Sequence, residues 1–338
     1  MNLNQAIGWK NIRRLIIEFL FVIKLPSLFR WLNRRRVVIL MYHGVMPDDL
    51  PAAENDSLQV RTSEFRQQME YLKAHYEVCT LHEAHSRLSE VGPKPRAVVT
   101  LDDGYGNNFL SAFPVLKELG IPAVIFLVTG KVGTDKVFWW DRLHLASRGS
   151  VEVEADFVRS LKRVRPQTVD EQVNGYLRRL ERTVDPAQAK HYRVLNRDEI
   201  TEMAASGLIE FGCHTHDHEP LNTLHWREIE ATLEESMTCL KTMVGPVRYF
   251  AAPYGEYDSY TFPSLQRYPF ELAMSTQEGL MSTSSDRLRV PRLNIYRGCS
   301  TAAFACITSG LSLWLHRYKY VCAAVAGILA LLAGVLLI

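Results

Sequence analysis

The sequence lacks the features that mark several common classes of protein. Its six cysteines include no CxxC pair and no regular spacing, so we expect free thiols in a reducing compartment and no disulfide framework. Its formal net charge is only +2 and it has no basic stripe with interleaved aromatic residues, so we expect no nucleic-acid partner. The 338 residues contain no internal repeat and no low-complexity linker. This length fits one large domain or two small ones, and α/β barrels routinely fill it as a single unit.

Long hydrophobic runs are scarce, and the one uninterrupted run lies at the C-terminal end. Residues 320–338 carry no charge and are about long enough to cross a bilayer core as a helix. We therefore predict a C-terminal transmembrane helix over residues 318–338. A buried core helix is the alternative, and the apolar character of every face of the run disfavours it.

The apolar stretch near the N-terminus, residues 15–25, is of a different kind. Glu18 and Lys24 interrupt it and Pro26 closes it, so it is too short and too charged to span a membrane. It has neither the uninterrupted apolar core nor the small-residue cleavage site of a secretory signal. Residues 1–36 are therefore predicted to hold an amphipathic helix that lies in the plane of a membrane.

Basic residues cluster beside both apolar ends of the chain, which makes membrane lipids an expected partner. They are Lys10, Arg13, Arg14, Arg34, Arg35, Arg36, His316, Arg317 and Lys319. Because positive residues favour the cytoplasmic side of a membrane, the main body of the chain is predicted to face the cytoplasm.

Short apolar runs alternate with helical patterns through the middle of the chain. The predicted strands are residues 37–41, 97–101, 123–128, 208–212, 247–251, 272–275 and 292–296. The predicted helices are residues 63–75, 107–119, 197–206, 227–243 and 259–266, with a last helix toward Trp314. A more charged segment, about residues 131–195, is predicted to be a helical insertion that caps one end of the core. Alternation of this kind predicts a parallel sheet, either open or closed into a barrel.

Two neighbouring carboxylates follow the second predicted strand, in the segment TLDDG at residues 100–104. The carboxyl ends of parallel strands are where α/β folds build their sites. Adjacent residues at a strand end point to opposite sides, so one of Asp102 and Asp103 can bind a metal while the other accepts a proton. A plain Asp-Gly turn is the alternative.

Three histidines follow the fourth predicted strand, in the segment HTHDH at residues 214–218. Neutral imidazoles are common ligands of zinc and similar ions, and His214 and His218 would converge if the segment formed a helical turn. His216 would project elsewhere, and an exposed polar loop is the alternative. With one aspartate the two histidines make a metal site with positions open for water and substrate, and the other aspartate is then a general base.

A third segment, FAAPYG at residues 250–255, places a rigid turn after the next strand. The backbone N–H or the phenol of Tyr254 could be aimed at a bound substrate, with a structural turn as the alternative. TLDDG, HTHDH and APYG in this order resemble the polysaccharide deacetylase family, the NodB-homology group of carbohydrate esterases. The resemblance covers roughly residues 37–297. MYHGV at 41–45 and FWWDRL at 138–143 resemble the bacterial branch that includes poly-N-acetylglucosamine deacetylases.

The resemblance implies a distorted, incomplete (β/α)7 barrel, which would form a catalytic domain over residues 37–317. It makes Asp102 the catalytic base and Asp103, His214 and His218 the ligands of a divalent metal. Zn²⁺ is the expected ion, with Co²⁺, Ni²⁺ or Mn²⁺ as alternatives. The backbone N–H of Tyr254 would help to hold the oxyanion.

The sequence departs from the family pattern at two places. Many members have an arginine at the position of Ala251, where it orients the base. Arg292 is the candidate substitute, and it is also predicted to contact the substrate. The usual Leu-x-His near the C-terminal end, which supplies the general acid, is missing, and His43 is the candidate replacement. Trp139 and Trp140 are predicted to stack on a sugar, with a membrane interface or plain packing as alternatives.

These features together predict an N-deacetylase that acts on an N-acetylated sugar. The membrane segments favour a lipid-linked or surface-polysaccharide intermediate at the cytoplasmic face of a bacterial inner membrane. Alternatives are a deformylase, a deacetylase of a polymeric glycan, and an inactive glycan-binding scaffold.

Overall fold

The computed structural model describes residues 3–50, 56–147, 155–161, 164, 166–255 and 261–318. The strands are β1 (Val37–Tyr42), β2 (Gly44–Met46), β3 (Gln59–Arg61), β4 (Glu77–Val78), β5 (Arg96–Leu101), β6 (Ala123–Leu127), β7 (Ile209–Cys213), β8 (Tyr249–Ala251), β9 (Leu272–Glu278) and β10 (Val290–Asn294). The helices are α1 (Leu3–Val22), α2 (Leu25–Leu32), α3 (Thr62–His75), α4 (Leu81–Ser86), α5 (Phe113–Leu119), α6 (Trp139–Ser147), α7 (Ala155–Leu161), α8 (Pro166–Arg179), α9 (Pro186–Ala189), α10 (Arg197–Ala205), α11 (Trp226–Val244), α12 (Thr261–Gln266), α13 (Thr301–Thr308) and α14 (Leu311–Arg317).

Seven parallel strands form a barrel in the order β1, β5, β6, β7, β8, β9, β10. The barrel is closed because β1 pairs with β10 on one edge and with β5 on the other. The predicted seven-stranded α/β barrel is therefore confirmed, whereas the expectation of an incomplete barrel is wrong in one respect, since no edge is left open between β1 and β10. The last strand, β10, starts two residues earlier than predicted and includes Pro291.

Each barrel strand is buried on both faces, which explains why the strands appear in the sequence as short continuous apolar runs. All six residues of β1 and of β5 are buried. Alternate residues face opposite sides: Ile39 packs with Val98 and Phe126 in a cluster drawn mainly from the strands. Leu40 and Val99 belong to the larger cluster that the strands form with the surrounding helices. The polar segments at the strand ends are therefore held by a core that is packed on both sides of the sheet.

The segment predicted as one helix from residue 107 to 119 has two parts. A π-helical turn, Asn108–Ala112, precedes α5. Next to this turn, Asn107 Oδ1 accepts a hydrogen bond from the Val45 N–H (3.0 Å), and Asn108 Nδ2 donates to the His43 carbonyl (2.8 Å). Turns of this type are frequent at functional sites. Here the turn holds the loop that follows β1.

Helices α6 to α9 lie between β6 and β7, where the sequence predicts the insertion. The chain then returns to the barrel through α10, whose start is set by a reciprocal cap. Asn196 Oδ1 accepts from the Glu199 N–H (2.9 Å), and the Glu199 carboxylate accepts from the Asn196 N–H (2.9 Å). The insertion therefore enters and leaves at the same end of the barrel as the polar strand ends.

Two helices, α1 and α2, cover the stretch for which we predict an amphipathic helix, and Lys24, in a left-handed conformation (φ 59°), separates them. Helix α1 packs on α13. Helices α1 and α2, with Ile23 between them, leave large apolar side chains exposed. These are Ile12, Leu15, Ile16, Phe19, Val22, Ile23, Leu28, Trp31 and Leu32, which we call the apolar stripe. Within the described ranges, no helix is both long enough and apolar enough to span a bilayer. Residues 319–338, most of the predicted transmembrane helix, lie outside those ranges.

Candidate metal centre

The candidate site lies at the carboxyl ends of the barrel strands, as the sequence predicts. Asp102 and Asp103 follow β5, and residues 214–218 follow β7. His43 follows β1 and Tyr254 follows β8. Because all barrel strands run parallel, these segments meet at one rim of the barrel.

Three buried side chains converge at this rim with their ligand atoms close together. His214 Nε2 and His218 Nε2 each lie 3.3 Å from Asp103 Oδ1. The three ligand atoms lie within 4.8 Å of one another, and within the described part of the chain this is the one group of three or more His, Cys, Asp or Glu residues that could hold an ion.

The local chemistry of these three residues fits a divalent metal. Asp103 Oδ1 is buried and forms no hydrogen bond, although both imidazoles approach it. Bonds of about 2.0–2.1 Å to a tetrahedral ion place neighbouring ligand atoms roughly 3.3–3.4 Å apart, so the observed spacing suits atoms that share an ion. His214 Nδ1 donates to the Ala251 carbonyl (2.7 Å), which leaves Nε2 as the unprotonated ligand atom. The close approach of the His214 and His218 rings outweighs the burial of Asp103 and holds its pKa well below the usual range.

His214 and His218 converge although residues 214–218 do not form the helical turn that would bring two residues at this spacing together. The segment is an irregular loop in which Thr215 (φ 61°) and His218 (φ 59°) are left-handed. Asp103 (φ 71°) and Tyr254 (φ 57°) share this conformation. Left-handed backbone is unfavourable for residues other than glycine and persists only where the surroundings impose it, often at functional sites. It turns His218 back so that its ring meets that of His214, with ring centroids 5.0 Å apart.

Asp102 faces a buried arginine instead of the metal ligands. Arg292 Nη1 and Nη2 donate to the two carboxylate oxygens of Asp102 at 2.7 Å each. The same guanidinium donates from Nη1 to Thr100 Oγ1 (3.1 Å) and from Nε to the Ser275 carbonyl (3.0 Å). Burial raises the pKa of the Asp102 carboxyl, but Arg292 more than offsets it and lowers the pKa below its usual value. Asp102 is therefore ionised and fixed in orientation.

The structure places Arg292 in the position of the missing orienting arginine, and it corrects our assignment of Arg292 to substrate binding. Its side chain is 0% exposed and it does not line the cavity beside the metal ligands. Ala251, at the end of β8, leaves the barrel interior free, and the guanidinium reaches Asp102 from β10 instead.

The remaining predicted residues line one cavity of about 620 Å³ together with Asp102 and the metal ligands. His43 belongs to this lining, and its Nδ1 is buried without a hydrogen-bond partner. Trp140 and Tyr254 lie against His218, with ring centroids 4.9 and 4.8 Å away. Trp139 Nε1 donates to the Tyr254 hydroxyl (3.4 Å). The two tryptophans therefore lie at the cavity and not on the apolar stripe.

Two acidic residues in the lining, Asp56 and Asp141, are not among the site residues that the sequence predicts. Asp141 is buried and accepts from the Tyr105 hydroxyl (2.8 Å), whereas Arg142 pairs with Asp170. Burial and the nearby Asp56 raise the pKa of Asp141 well above its usual value. Asp56 also lines the cavity. An acid in the first turn of a helix is ordinary, so the sequence carries no signal for this environment.

The fold and the site together define an α/β-barrel protein with a potential three-residue metal site at the carboxyl ends of its strands. Comparison with known proteins is more specific. The sequence model of the polysaccharide deacetylase family matches residues 89–273, and the chain belongs to this family, which confirms the resemblance seen in the motifs.

Two curated proteins are similar to this chain in sequence, and one solved structure is similar in fold. A Bacillus subtilis (strain 168) protein named as a polysaccharide deacetylase, YxkH, is 23% identical over 273 residues, which are 80% of this chain and 75% of that protein. The poly-beta-1,6-N-acetyl-D-glucosamine N-deacetylase of Staphylococcus aureus (strain MRSA252) is 22% identical over 253 residues, 72% of this chain and 69% of that protein. The solved structure of IcaB from Ammonifex degensii shares the fold with a TM-score of 0.57 at 24% identity, and the match covers 81% of this chain and 97% of that one.

Proposed function

We propose that the chain is a metal-dependent carbohydrate deacetylase that removes the acetyl group from an N-acetylated sugar. The observation that carries the proposal is the joint placement of three convergent metal-type ligands and an arginine-held aspartate in one cavity. Membership of the polysaccharide deacetylase family supports the hydrolase class. The name of the Staphylococcus aureus relative supports an N-acetylated glucosamine substrate.

Asp103, His214 and His218 would hold the ion, most simply Zn²⁺. When bound, a divalent ion polarises a carbonyl oxygen and lowers the pKa of a coordinated water. Asp102 accepts the proton of the attacking water, because Arg292 keeps its carboxylate ionised and correctly oriented.

The other lining residues act on the substrate. The backbone N–H of Tyr254 donates to the oxygen that becomes negative as the amide carbonyl is attacked, an interaction typically worth a few kcal/mol. His43 protonates the departing nitrogen as the C–N bond breaks, and the products are acetate and a free amino sugar. The rings of Trp139 and Trp140 stack on the sugar.

The substrate that we favour is a lipid-linked or surface-polysaccharide intermediate at a bacterial inner membrane, with the catalytic body on the cytoplasmic face. The apolar stripe supports this view, since its nine large apolar side chains stand exposed on two adjacent helices and on Ile23 between them, close to basic residues. A deformylase or a deacetylase of a polymeric glycan would use the same residues. An inactive scaffold is less well supported than the sequence suggests, because the missing arginine is supplied from β10.

The metal centre is tested by replacing its histidines. We expect wild-type protein to hold about one divalent ion per chain and His214→Ala/His218→Ala to lose it, because two of three ligands are removed. Elemental analysis of purified protein measures this. His216→Ala is the matched control, since His216 lies in the same loop but bonds to Thr129 (3.0 Å). Wild-type protein that stays free of metal after supplementation with zinc, cobalt or nickel would rule out the hydrolase mechanism.

The membrane orientation is tested separately with reporters fused after Ile338. We expect a reporter that works only outside the cytoplasm, such as alkaline phosphatase, to be active, because a single C-terminal span would place the body and the C-terminus on opposite sides. A fluorescent protein that folds only in the cytoplasm serves as the complementary control. Fluorescence without phosphatase activity would place the C-terminus in the cytoplasm and refute the proposed orientation.

A further inference from the structure

A second cavity, of about 630 Å³, lies in the insertion, away from the metal ligands, and we call it the insertion cleft. Five of the described residues that line it are basic: Lys131, Lys136, Arg142, Lys190 and Arg193. Two are acidic, Asp135 and Asp170, so the lining carries an excess of three positive charges. The protein as a whole has a formal charge of only +2, so this concentration of cations is local.

Two acids near the cleft, Asp170 and Glu199, pair with its arginines and not with its lysines. Arg142 pairs with Asp170 at 3.1 Å, and Arg193 donates to the Glu199 carboxylate at 2.8 Å. Neither Lys131 nor the exposed pair Lys136 and Lys190 forms a salt bridge within the described part of the chain. Three ammonium groups therefore line one cleft without a salt-bridge partner among the described residues, although Asp135 also lines the cleft and Asp170 and Asp217 act on Lys131 from nearby.

Lys131 occupies the least favourable position of the three for a cation. It is half-buried, with its ammonium 5.4 Å from the centre of the Phe138 ring. Burial lowers the pKa of this ammonium, and Asp170 opposes the change, while the positive charges of Lys136 and Arg142 lower it further. An anion bound in the cleft would reverse both unfavourable effects, because it replaces lost solvation and offsets the repulsion between cations.

A small third pocket lies between the insertion cleft and the catalytic cavity and shares lining residues with each of them. Lys131 and Asp170 also line a small pocket whose other walls include Trp140, His218 and Tyr254. These three residues also line the catalytic cavity. The insertion cleft and the candidate metal centre are therefore neighbours, linked through this small pocket.

We propose that the insertion cleft binds a phosphate or diphosphate group. Lysine ammonium groups are compact point charges that suit phosphate oxygens, and three of them line this cleft. The cleft is large enough to hold such a group together with part of the molecule that carries it. The group could belong to the substrate, as in a sugar attached to a carrier through a diphosphate, or to a free phosphate compound. Only the first source rests on the proposed deacetylase function.

Binding is tested with inorganic diphosphate, titrated into the full-length holoenzyme by calorimetry. We expect Lys136→Glu/Lys190→Glu to weaken the affinity roughly tenfold or more, because both side chains line the cleft and both are exposed, so that the fold is preserved. Lys117→Glu/Lys241→Glu is the control, with the same charge change at exposed positions outside the cleft. Equal affinity in all three proteins would mean that diphosphate binds elsewhere, such as at the metal, and would overturn the proposal, as would an absence of binding to wild-type protein.

The source of the phosphate is tested by kinetics on two N-acetylated sugars that differ only in a diphosphate at carbon 1. If the substrate supplies the group, Lys136→Glu/Lys190→Glu lowers kcat/KM roughly tenfold for the diphosphate sugar and leaves the neutral sugar unchanged. If a free phosphate compound is the ligand, the variant affects both sugars equally. A wild-type protein that is inactive on both sugars would refute the proposed deacetylase function. The calorimetric test of the cleft does not depend on that function.

Discussion

Replacing Asp102 by asparagine is expected to lower kcat for deacetylation about 10²–10⁴-fold, the usual contribution of a general base. Asparagine has nearly the same shape as aspartate but cannot take a proton from water. Metal content should not change, because the three proposed ligands are Asp103, His214 and His218. The measurement combines kcat with elemental analysis, below the melting temperature of the variant.

Asp103→Asn provides the contrast, because it alters a metal ligand and is expected to reduce both metal content and activity. The two neighbouring aspartates are thus distinguished by whether metal is retained. If Asp102→Asn lost its metal while Asp103→Asn kept it, the roles of the two residues would be reversed. Full activity in Asp102→Asn would remove Asp102 from the mechanism altogether.

Replacing Arg292 by methionine is expected to destabilise the fold by about 3–5 kcal/mol, because the substitution leaves the Asp102 carboxylate buried and uncompensated. A change of this size corresponds to a fall in Tm on the order of 10 °C. Differential scanning calorimetry at neutral pH measures it. Arg289→Met is the matched control, since Arg289 is exposed on the same segment and its loss should matter little.

A double-mutant cycle separates this charge effect from lost packing. Asp102→Asn/Arg292→Met removes both partners and should be less destabilised than the sum of the two single variants, since neither charge is left alone. Because Arg292 lowers the pKa of Asp102, the stabilisation is present above the unfolded-state value of about 4 and is lost as the pH falls through the folded-state value. The Tm gap between wild type and Arg292→Met should therefore narrow in acid. Strict additivity, or a gap that does not change with pH, would mean that packing and not charge explains the loss.

Arg292 also changes how the departures from the family pattern are understood. The sequence shows an alanine where many members of the polysaccharide deacetylase family have the orienting arginine. Because residues 102 and 292 are separated by 190 positions along the chain, no local pattern could connect them. The barrel brings them together by closing β10 onto β1, beside β5. The proposed base, Asp102, is therefore held by an arginine, but from a different strand.

The sequence by itself determined the strands and the metal-type residues. Seven apolar runs of strand length are evident because each strand is buried on both faces, and polar segments directly after them identify the strand ends. In a parallel sheet those ends share one rim, so Asp103, His214 and His218 could be grouped without knowledge of the strand order. The sequence also predicts the helical insertion, because its charge and periodicity differ from those of the barrel.

Only the tertiary structure decided which strands are neighbours, because the period of a strand states which face each side chain takes but not which strand lies beside it. Closure of the barrel, the bond between Asp102 and Arg292, and the meeting of Lys131, Lys136 and Lys190 in one cleft all depend on such neighbours. The left-handed conformation of His218 was also decided by the tertiary structure, since non-glycine residues adopt this conformation where their surroundings impose it. Local sequence therefore specified the ligands, and long-range packing specified how they are held.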